Sequence, residues 1–204
     1  MGRPGKIVCV GRNYAAHARE MGNEPPATPM LFLKPPSAVV GPGDAIVLPP
    51  ESSRVEHEGE IGVIVGRTLR RASPDEAEEG IGGFVCANDV TARDLQRTDG
   101  QWGRAKGFDT FCPVSAAPVA GLDWRRLEVI CRVNGAVRQH GRATEMETGI
   151  PDLLAFISDV MTLEPGDLVL TGTPAGVGPL VAGDVVEVEI PGVGILSNPV
   201  RSAP

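Results

Sequence analysis

The stretch Val55-Glu56-His57-Glu58-Gly59-Glu60-Ile61-Gly62-Val63-Ile64-Val65 begins polar and ends in an apolar, β-branched run, the pattern of a strand entering a core. Side chains alternate faces along a strand, so Glu58 and Glu60 point the same way. Two carboxylates that close repel unless a cation lies between them or one is protonated. A hard divalent cation, which takes oxygen ligands, is the natural solution. Spacing alone does not decide this: Glu187 and Glu189, in Val185-Val186-Glu187-Val188-Glu189-Ile190, are equally spaced and read as the solvated face of an antiparallel strand. Asp89 closes the apolar run Phe84–Val90. It either belongs to the N-cap region of the next turn or completes a three-carboxylate site beside the glutamates. His17 and Glu20 share a face if Ala15–Met21 is helical. They are then either an ordinary surface pair or a histidine oriented by a carboxylate, the arrangement of a general base. Lys106, before Gly107-Phe108, is a solvated lysine or, near an anionic substrate, a charge clamp. The loop Thr171-Gly172-Thr173-Pro174-Ala175-Gly176-Val177-Gly178 lacks the lysine of a P-loop, which excludes nucleotide phosphate binding. Its backbone N–H groups could still cradle a carboxylate.

The elements that must position these groups are mostly short strands. Lys6–Gly11, Met30–Leu33, Ala45–Leu48, Phe84–Val90, Leu127–Val133 and Leu168–Leu170 read as strands, and Asn134-Gly135 signals a hairpin turn. Ser73-Pro74-Asp75-Glu76 carries an N-cap, a proline at the first helical position and a capping-box glutamate. Apolar residues at 150, 153, 154, 157, 160 and 161 make Ile150–Met161 an amphipathic helix packed on a sheet. Gln96 to Arg104 is polar and aperiodic and reads as a mobile loop, with Trp102 as a hydrophobic latch.

Composition narrows the class. The 204 residues, 42% hydrophobic, suit one domain spanning 1–204. A net charge of -7 and the absence of a basic run argue against a nucleic-acid surface. No apolar run approaches the ~18 residues of a membrane span, and Met1 to Val10 is too short and polar for a signal peptide. Cys9, Cys86, Cys112 and Cys131 are scattered without a CxxC and read as reduced thiols of a cytosolic protein. The 26 glycines and 19 prolines, with 4% aromatics, indicate tight turns between short strands rather than a helix bundle.

The ordered set Gly11-Arg12-Asn13-Tyr14 with His17 and Glu20, Leu31-Phe32-Leu33-Lys34-Pro35, His57-Glu58-Gly59-Glu60, Asn88-Asp89-Val90-Thr91-Ala92-Arg93-Asp94, Lys106-Gly107-Phe108-Asp109 and Leu170-Thr171-Gly172-Thr173-Pro174 resembles the fumarylacetoacetate hydrolase family. The match is nearest to its short acylpyruvate hydrolase and oxaloacetate decarboxylase branch and runs from about Lys6 to Ile190. The resemblance implies an α+β, mainly β fold: a mixed β-sandwich roll of the family's C-terminal-domain type with a few short helices. It further implies a Mg²⁺ or Mn²⁺ ion, a small 2-oxo-acid substrate and a homodimer in the cytoplasm. By the same resemblance Glu58, Glu60 and Asp89 are the metal ligands, and His17 and Glu20 the catalytic dyad. Lys106 stabilises charge, while Arg93, Gln96 and Thr173 line the substrate pocket. Gly59 stands where the family carries a bulky apolar residue, which would loosen that strand, and Glu56 adds a third carboxylate of the same parity. The implied activity is hydrolysis of the C–C bond of acylpyruvates, with oxaloacetate decarboxylation open to the same site. The alternatives are isomerisation or decarboxylation of 2-hydroxy-dienedioates and a non-catalytic metal-binding β-roll.

Overall fold

The computed structural model describes residues 2–203; Met1 and Pro204, included in the expected 1–204 domain, lie outside them. Two five-stranded sheets dominate. The first has the spatial order Met30–Lys34, Ile7–Gly11, Leu168–Leu170, Gly59–Val65, Ile81–Asn88. The second runs Ala136–Arg142, Glu128–Val133, Val185–Ile190, Gly194–Ser202, Ile46–Leu48. A three-stranded sheet of Gly178–Pro179, Val55–His57 and Thr91–Ala92 lies at the site described below. This is the expected mainly β sandwich with a few short helices.

The two large sheets pack face to face. Ile61, Val63, Phe84 and Cys86 of the first meet Val129, Cys131, Val186, Val188 and Leu196 of the second in one buried cluster. The other face of the first sheet is covered too, by a smaller cluster that includes Ile7, Cys9, Val85, Leu168 and Leu170. Burial on both faces explains why Ile61-Gly62-Val63-Ile64-Val65 is continuously apolar rather than alternating. Each such aliphatic side chain contributes ~1.5–3 kcal/mol by leaving water, so this strand is a fixed platform.

Local signals hold where they are strong. Helix Pro74–Glu79 starts at Ser73 with both capping-box hydrogen bonds present. Asn134 and Gly135 turn between Glu128–Val133 and Ala136–Arg142 at φ 53 and 77, the left-handed pair such a hairpin requires. The helix Ile150–Val160 buries Ile150, Leu153, Leu154 and Ile157. All four cysteines are free and buried. Among the described residues no helix is long and apolar enough to cross a membrane.

Three expectations change. The Val55–Val65 stretch is not one strand: Val55–His57 and Gly59–Val65 belong to different sheets, and Glu58 sits at the break. Parity therefore does not carry across to Glu56. Its carboxylate turns to Arg54 and Arg93, each at 2.6 Å. Gly59 does not loosen the strand either. A Cβ there would lie 2.8 Å from Cys131 Cβ, so glycine is what lets the two sheets meet. The segment from Gln96 to Arg104 is mostly helical, in Arg93–Thr98 and Gly103–Gly107. Helices this short need outside support. Asp94 supplies some by accepting from Ser52 Oγ at 2.6 Å and from the Ser53 N–H at 2.7 Å, and Arg104 grips Asp99 with Nε and Nη2.

Candidate metal centre

Strand pairing brings the carboxylates together. The strand Gly59–Val65 pairs antiparallel with Ile81–Asn88 in the register Gly59↔Asn88, Glu60↔Ala87. Residue 89 therefore falls opposite residue 58. The Asp89 N–H donates to Glu58 O at 2.8 Å, and the Glu58 N–H donates to Asn88 Oδ1 at 2.9 Å. Glu58, Glu60 and Asp89 are buried, and each offers an oxygen within 4.8 Å of the others.

Three buried cations answer them. Lys106 Nζ donates to Glu58 Oε2 at 2.7 Å and to Asp89 Oδ2 at 2.6 Å. Lys34 Nζ donates to Asp89 Oδ1 at 2.6 Å and to Val90 O at 3.1 Å. Arg93 bridges Glu56, Glu58 and Gln96. Burial pushes the Glu58 carboxyl up, but Lys106 and Arg93 outweigh it and hold the group below its ordinary value. Burial lowers Lys106, and Asp89 and Glu58 more than restore it, so its ammonium is retained. Glu60 differs. Its hydrogen-bond partner is the Gly172 N–H, at 2.8 Å, and among the described residues no cation touches it. Burial, then Asp89 and Glu58, push its carboxyl well above the usual range. Glu60 is thus a buried carboxylate beside two others with a backbone N–H in place of a cation partner. An oxygen-seeking divalent cation suits it.

The pocket around this cluster is small, with a cavity volume of about 60 Å³. It is lined by His17, Glu58, Glu60, Asp89, Arg93, Gln96, Lys106 and Thr173, so eight of the nine expected site residues converge. The ninth, Glu20, stands behind His17: His17 Nδ1 and Glu20 Oε2 are 3.2 Å apart. With the carboxylate accepting, Nδ1 carries the proton and Nε2 is left with the lone pair. Trp102 packs edge-on against Phe32, ring centroids 5.2 Å apart, and closes one wall.

The glycine-rich loop does cradle carboxylates, but they are the protein's own. The Gly172 N–H holds Glu60, and the Gly176 N–H donates to Glu20 Oε1 and Oε2 at 3.0 and 3.1 Å. At Gly176, φ is +104 and an added Cβ would fall 2.0 Å from Arg138 O, so no side chain fits. Thr173 lines the pocket with a committed hydroxyl. It donates to Gly59 O at 2.9 Å and accepts from Gln139 Nε2 at 2.7 Å.

Gln139 is a contributor that sequence reasoning missed. Fully buried, it accepts from the Gly59 N–H at 2.9 Å, faces His57 Nδ1 at 3.1 Å and donates to Thr173 Oγ1 and Pro174 O. It ties the backbone between the two glutamates to the glycine-rich loop. Its only sequence signal is polarity at an inward-facing position of a hairpin strand whose neighbours Arg138 and His140 face outward. Lys34 was also missed as a charge partner; the signal was a lysine ending an apolar strand.

Comparison with known proteins agrees with the geometry. The sequence matches the family described as Fumarylacetoacetate (FAA) hydrolase C-terminal over residues 6–201. A 5-carboxymethyl-2-hydroxymuconate delta-isomerase from Mycobacterium smegmatis superposes with a TM-score of 0.92 at 47% identity, covering 99% of this chain and 80% of that one. A fumarylpyruvate hydrolase from Pseudomonas aeruginosa, solved with Mn²⁺ and pyruvate, gives a TM-score of 0.92 at 31% identity, covering 98% and 91%. A mitochondrial oxaloacetate tautomerase of Bos taurus is 43% identical over 210 residues, 97% of this chain and 67% of that protein.

Proposed function

This chain belongs to the fumarylacetoacetate hydrolase family, and on that premise we propose that it is a metal-dependent C–C bond hydrolase of acylpyruvates. We take its whole length as one catalytic domain, working as a cytosolic homodimer with Mg²⁺ or Mn²⁺. The observation that carries the reading is the His17–Glu20 dyad beside three buried carboxylates in one pocket. A relative solved with Mn²⁺ and pyruvate, the product such a reaction would release, supports it.

Glu58, Glu60 and Asp89 would hold the ion, and three clustered, buried carboxylates, one of them without a cation partner, fit it. When bound, such an ion would act as a Lewis acid on the ketone of a chelating 2-oxo acid. The protein's own groups supply the rest. Glu20, fixed by the Gly176 N–H, keeps His17 in the tautomer that leaves Nε2 free to take a proton from water. The resulting hydroxide attacks the distal carbonyl carbon, and the C–C bond to the pyruvate methylene breaks. Its electron pair passes to the pyruvate fragment as an enolate, and the proton held by His17 returns to the methylene carbon. Lys106, buried on the pocket floor, holds the negative charge as it develops. Arg93 and Gln96 face the substrate as a linked pair.

A second reading is enol–keto conversion or decarboxylation of oxaloacetate, supported by the tautomerase relative. The delta-isomerase relative points likewise to rearrangement without water attack. His17→Ala separates hydrolysis from decarboxylation, because hydrolysis needs a positioned general base, which contributes ~10²–10⁴-fold, and loss of CO₂ to the enolate does not. The expected result is that kcat/KM for acylpyruvate falls by that factor while oxaloacetate decarboxylation falls much less, and that Lys106→Ala lowers both. An equal fall of both reactions in His17→Ala would withdraw His17 as the water-activating base. Sedimentation at micromolar concentration tests the dimer.

A further inference from the structure

Resting on the 2-oxo-acid reading, the geometry points to Arg12 as the specificity residue: its guanidinium receives a second carboxylate at the far end of the substrate, so the site selects diacids over monoacids. Three observations converge on it. First, Arg12 lines the same pocket as the carboxylate cluster. Second, Lys106 and Arg93 each hold protein carboxylates at the metal end of the pocket, Lys106 contacting Glu58 and Asp89 and Arg93 contacting Glu56 and Glu58. Arg12 is half-buried, and its side chain makes no hydrogen bond or ion pair among the described residues. A half-buried guanidinium carries five donors in a planar fork that fits a carboxylate, and leaving them unused in a pocket is wasteful unless a ligand takes them.

Third, Arg12 sits at φ 59, a left-handed backbone that glycine adopts freely and a bulky side chain does not. Such a residue is strained and persists only where its surroundings over-determine it. They do here. Before it, Gly11 pairs with Met30, and Trp102 lies so close that a Cβ on Gly11 would be 3.0 Å from its ring. After it, Asn13 is pinned through Nδ2 to Thr171 O at 2.9 Å and through Oδ1 to the Thr148 N–H at 2.9 Å. Glycine would satisfy this backbone without strain; retaining arginine is accounted for by the use of its side chain. The pocket then has a carboxylate-and-ion end for the 2-oxo acid, an aromatic wall of Phe32 and Trp102, and a free cation for an anionic tail.

The test is calorimetry on the Mn²⁺-loaded protein with matched pairs: 2-oxoglutarate against 2-oxovalerate, and 2-oxoadipate against 2-oxohexanoate, with pyruvate as reference. In each pair a carboxylate is replaced by a methyl group. The wild type is expected to bind at least one diacid ~10–100-fold tighter than its partner, the worth of a charge-assisted pair. Arg12→Gln should erase that preference and leave pyruvate binding within about twofold. Arg12→Gly, which relieves the strained backbone, should lose the preference while melting no lower than wild type, and Arg12→Lys should keep part of it. No diacid preference in the wild type, or one that survives in Arg12→Gln, overturns the role of Arg12. If pyruvate and every 2-oxo acid fail to bind the loaded wild type, the 2-oxo-acid reading falls first and this inference with it.

Discussion

Two glutamate pairs in this chain have the same spacing and opposite fates. Glu187 and Glu189 lie on Val185–Ile190, where burial alternates and both remain half-exposed; Glu189 is paired with Arg132. Glu58 and Glu60 flank Gly59 at the entry of a strand covered on both faces, and both are buried. Period-two spacing places two carboxylates on one side of a chain in either case. What differs is the dielectric and the company. In water the repulsion between Glu187 and Glu189 is screened and cheap. Between Glu58 and Glu60 it must be balanced by Lys106, Arg93 and the Gly172 N–H, and for Glu60 it is not fully balanced. A motif of like charges acquires chemical meaning from where its strand lies in the sheet stack.

The comparison breaks most visibly on deletion. Glu58→Ala should abolish Mn²⁺ binding by calorimetry and lower kcat/KM by on the order of 10³-fold or more, since several kcal/mol of charge stabilisation go with the ion. It also strands Lys106 and Arg93 beside fewer anions, so the melting temperature should fall. Retained Mn²⁺ affinity in a folded Glu58→Ala would place the ion elsewhere.

A smaller effect is expected one layer out. Gln139→Leu removes the acceptor of the Gly59 N–H and the donor to Thr173 without touching a proposed ligand. Loss of such outer partners typically lowers metal affinity or activity ~10–100-fold. Unchanged Mn²⁺ affinity would mean that the Gly59 backbone is held well enough by sheet packing alone.

The pH dependence of the metal-free protein sharpens the contrast further. Glu60 is raised above 4.5, so the folded state keeps a proton that the unfolded chain releases. Its contribution is full below 4.5 and is lost as pH rises through the folded-state value. Glu58 is depressed, so its contribution is full above 4.5 and is lost as pH falls through the lower folded-state value. In urea denaturation in chelator, stability above pH 4.5 should decline more steeply, or rise less, with pH in the wild type than in Glu60→Gln. A wild-type pH dependence unchanged in Glu60→Gln would assign it to another group. At the small end, Glu187→Ala should shift stability by no more than about 0.5 kcal/mol and leave Mn²⁺ binding untouched.

Much of the site was legible because its residue types are unusual for their places. Glutamates opening an apolar strand, an aspartate ending one, and a histidine three residues from a glutamate each left a chemical reading open beside an ordinary structural one. The resemblance of the ordered motifs then joined them. Gln139 was illegible because a polar residue on a hairpin strand defaults to the solvent face. The helical state of the segment after Gln96 was illegible because its support comes from Ser52 and Ser53, far back in the chain.

The sequence by itself determined the local pieces: the capping box at Ser73, the Asn134-Gly135 turn, the amphipathic helix after Gly149, and the carboxylates, lysine and histidine available for chemistry. These depend on neighbours a few residues away, where steric and hydrogen-bond preferences act within one turn or one pleat. The tertiary structure decided which equally spaced carboxylates are buried, where the strand breaks at Glu58, and which cations meet them. Those partners lie 48 residues away for Lys106 and Glu58, 55 for Lys34 and Asp89, and 112 for Gly172 and Glu60. A charge's environment is set by everything packed within a few ångströms of it, and in a sandwich of crossing strands that neighbourhood is assembled from the whole chain.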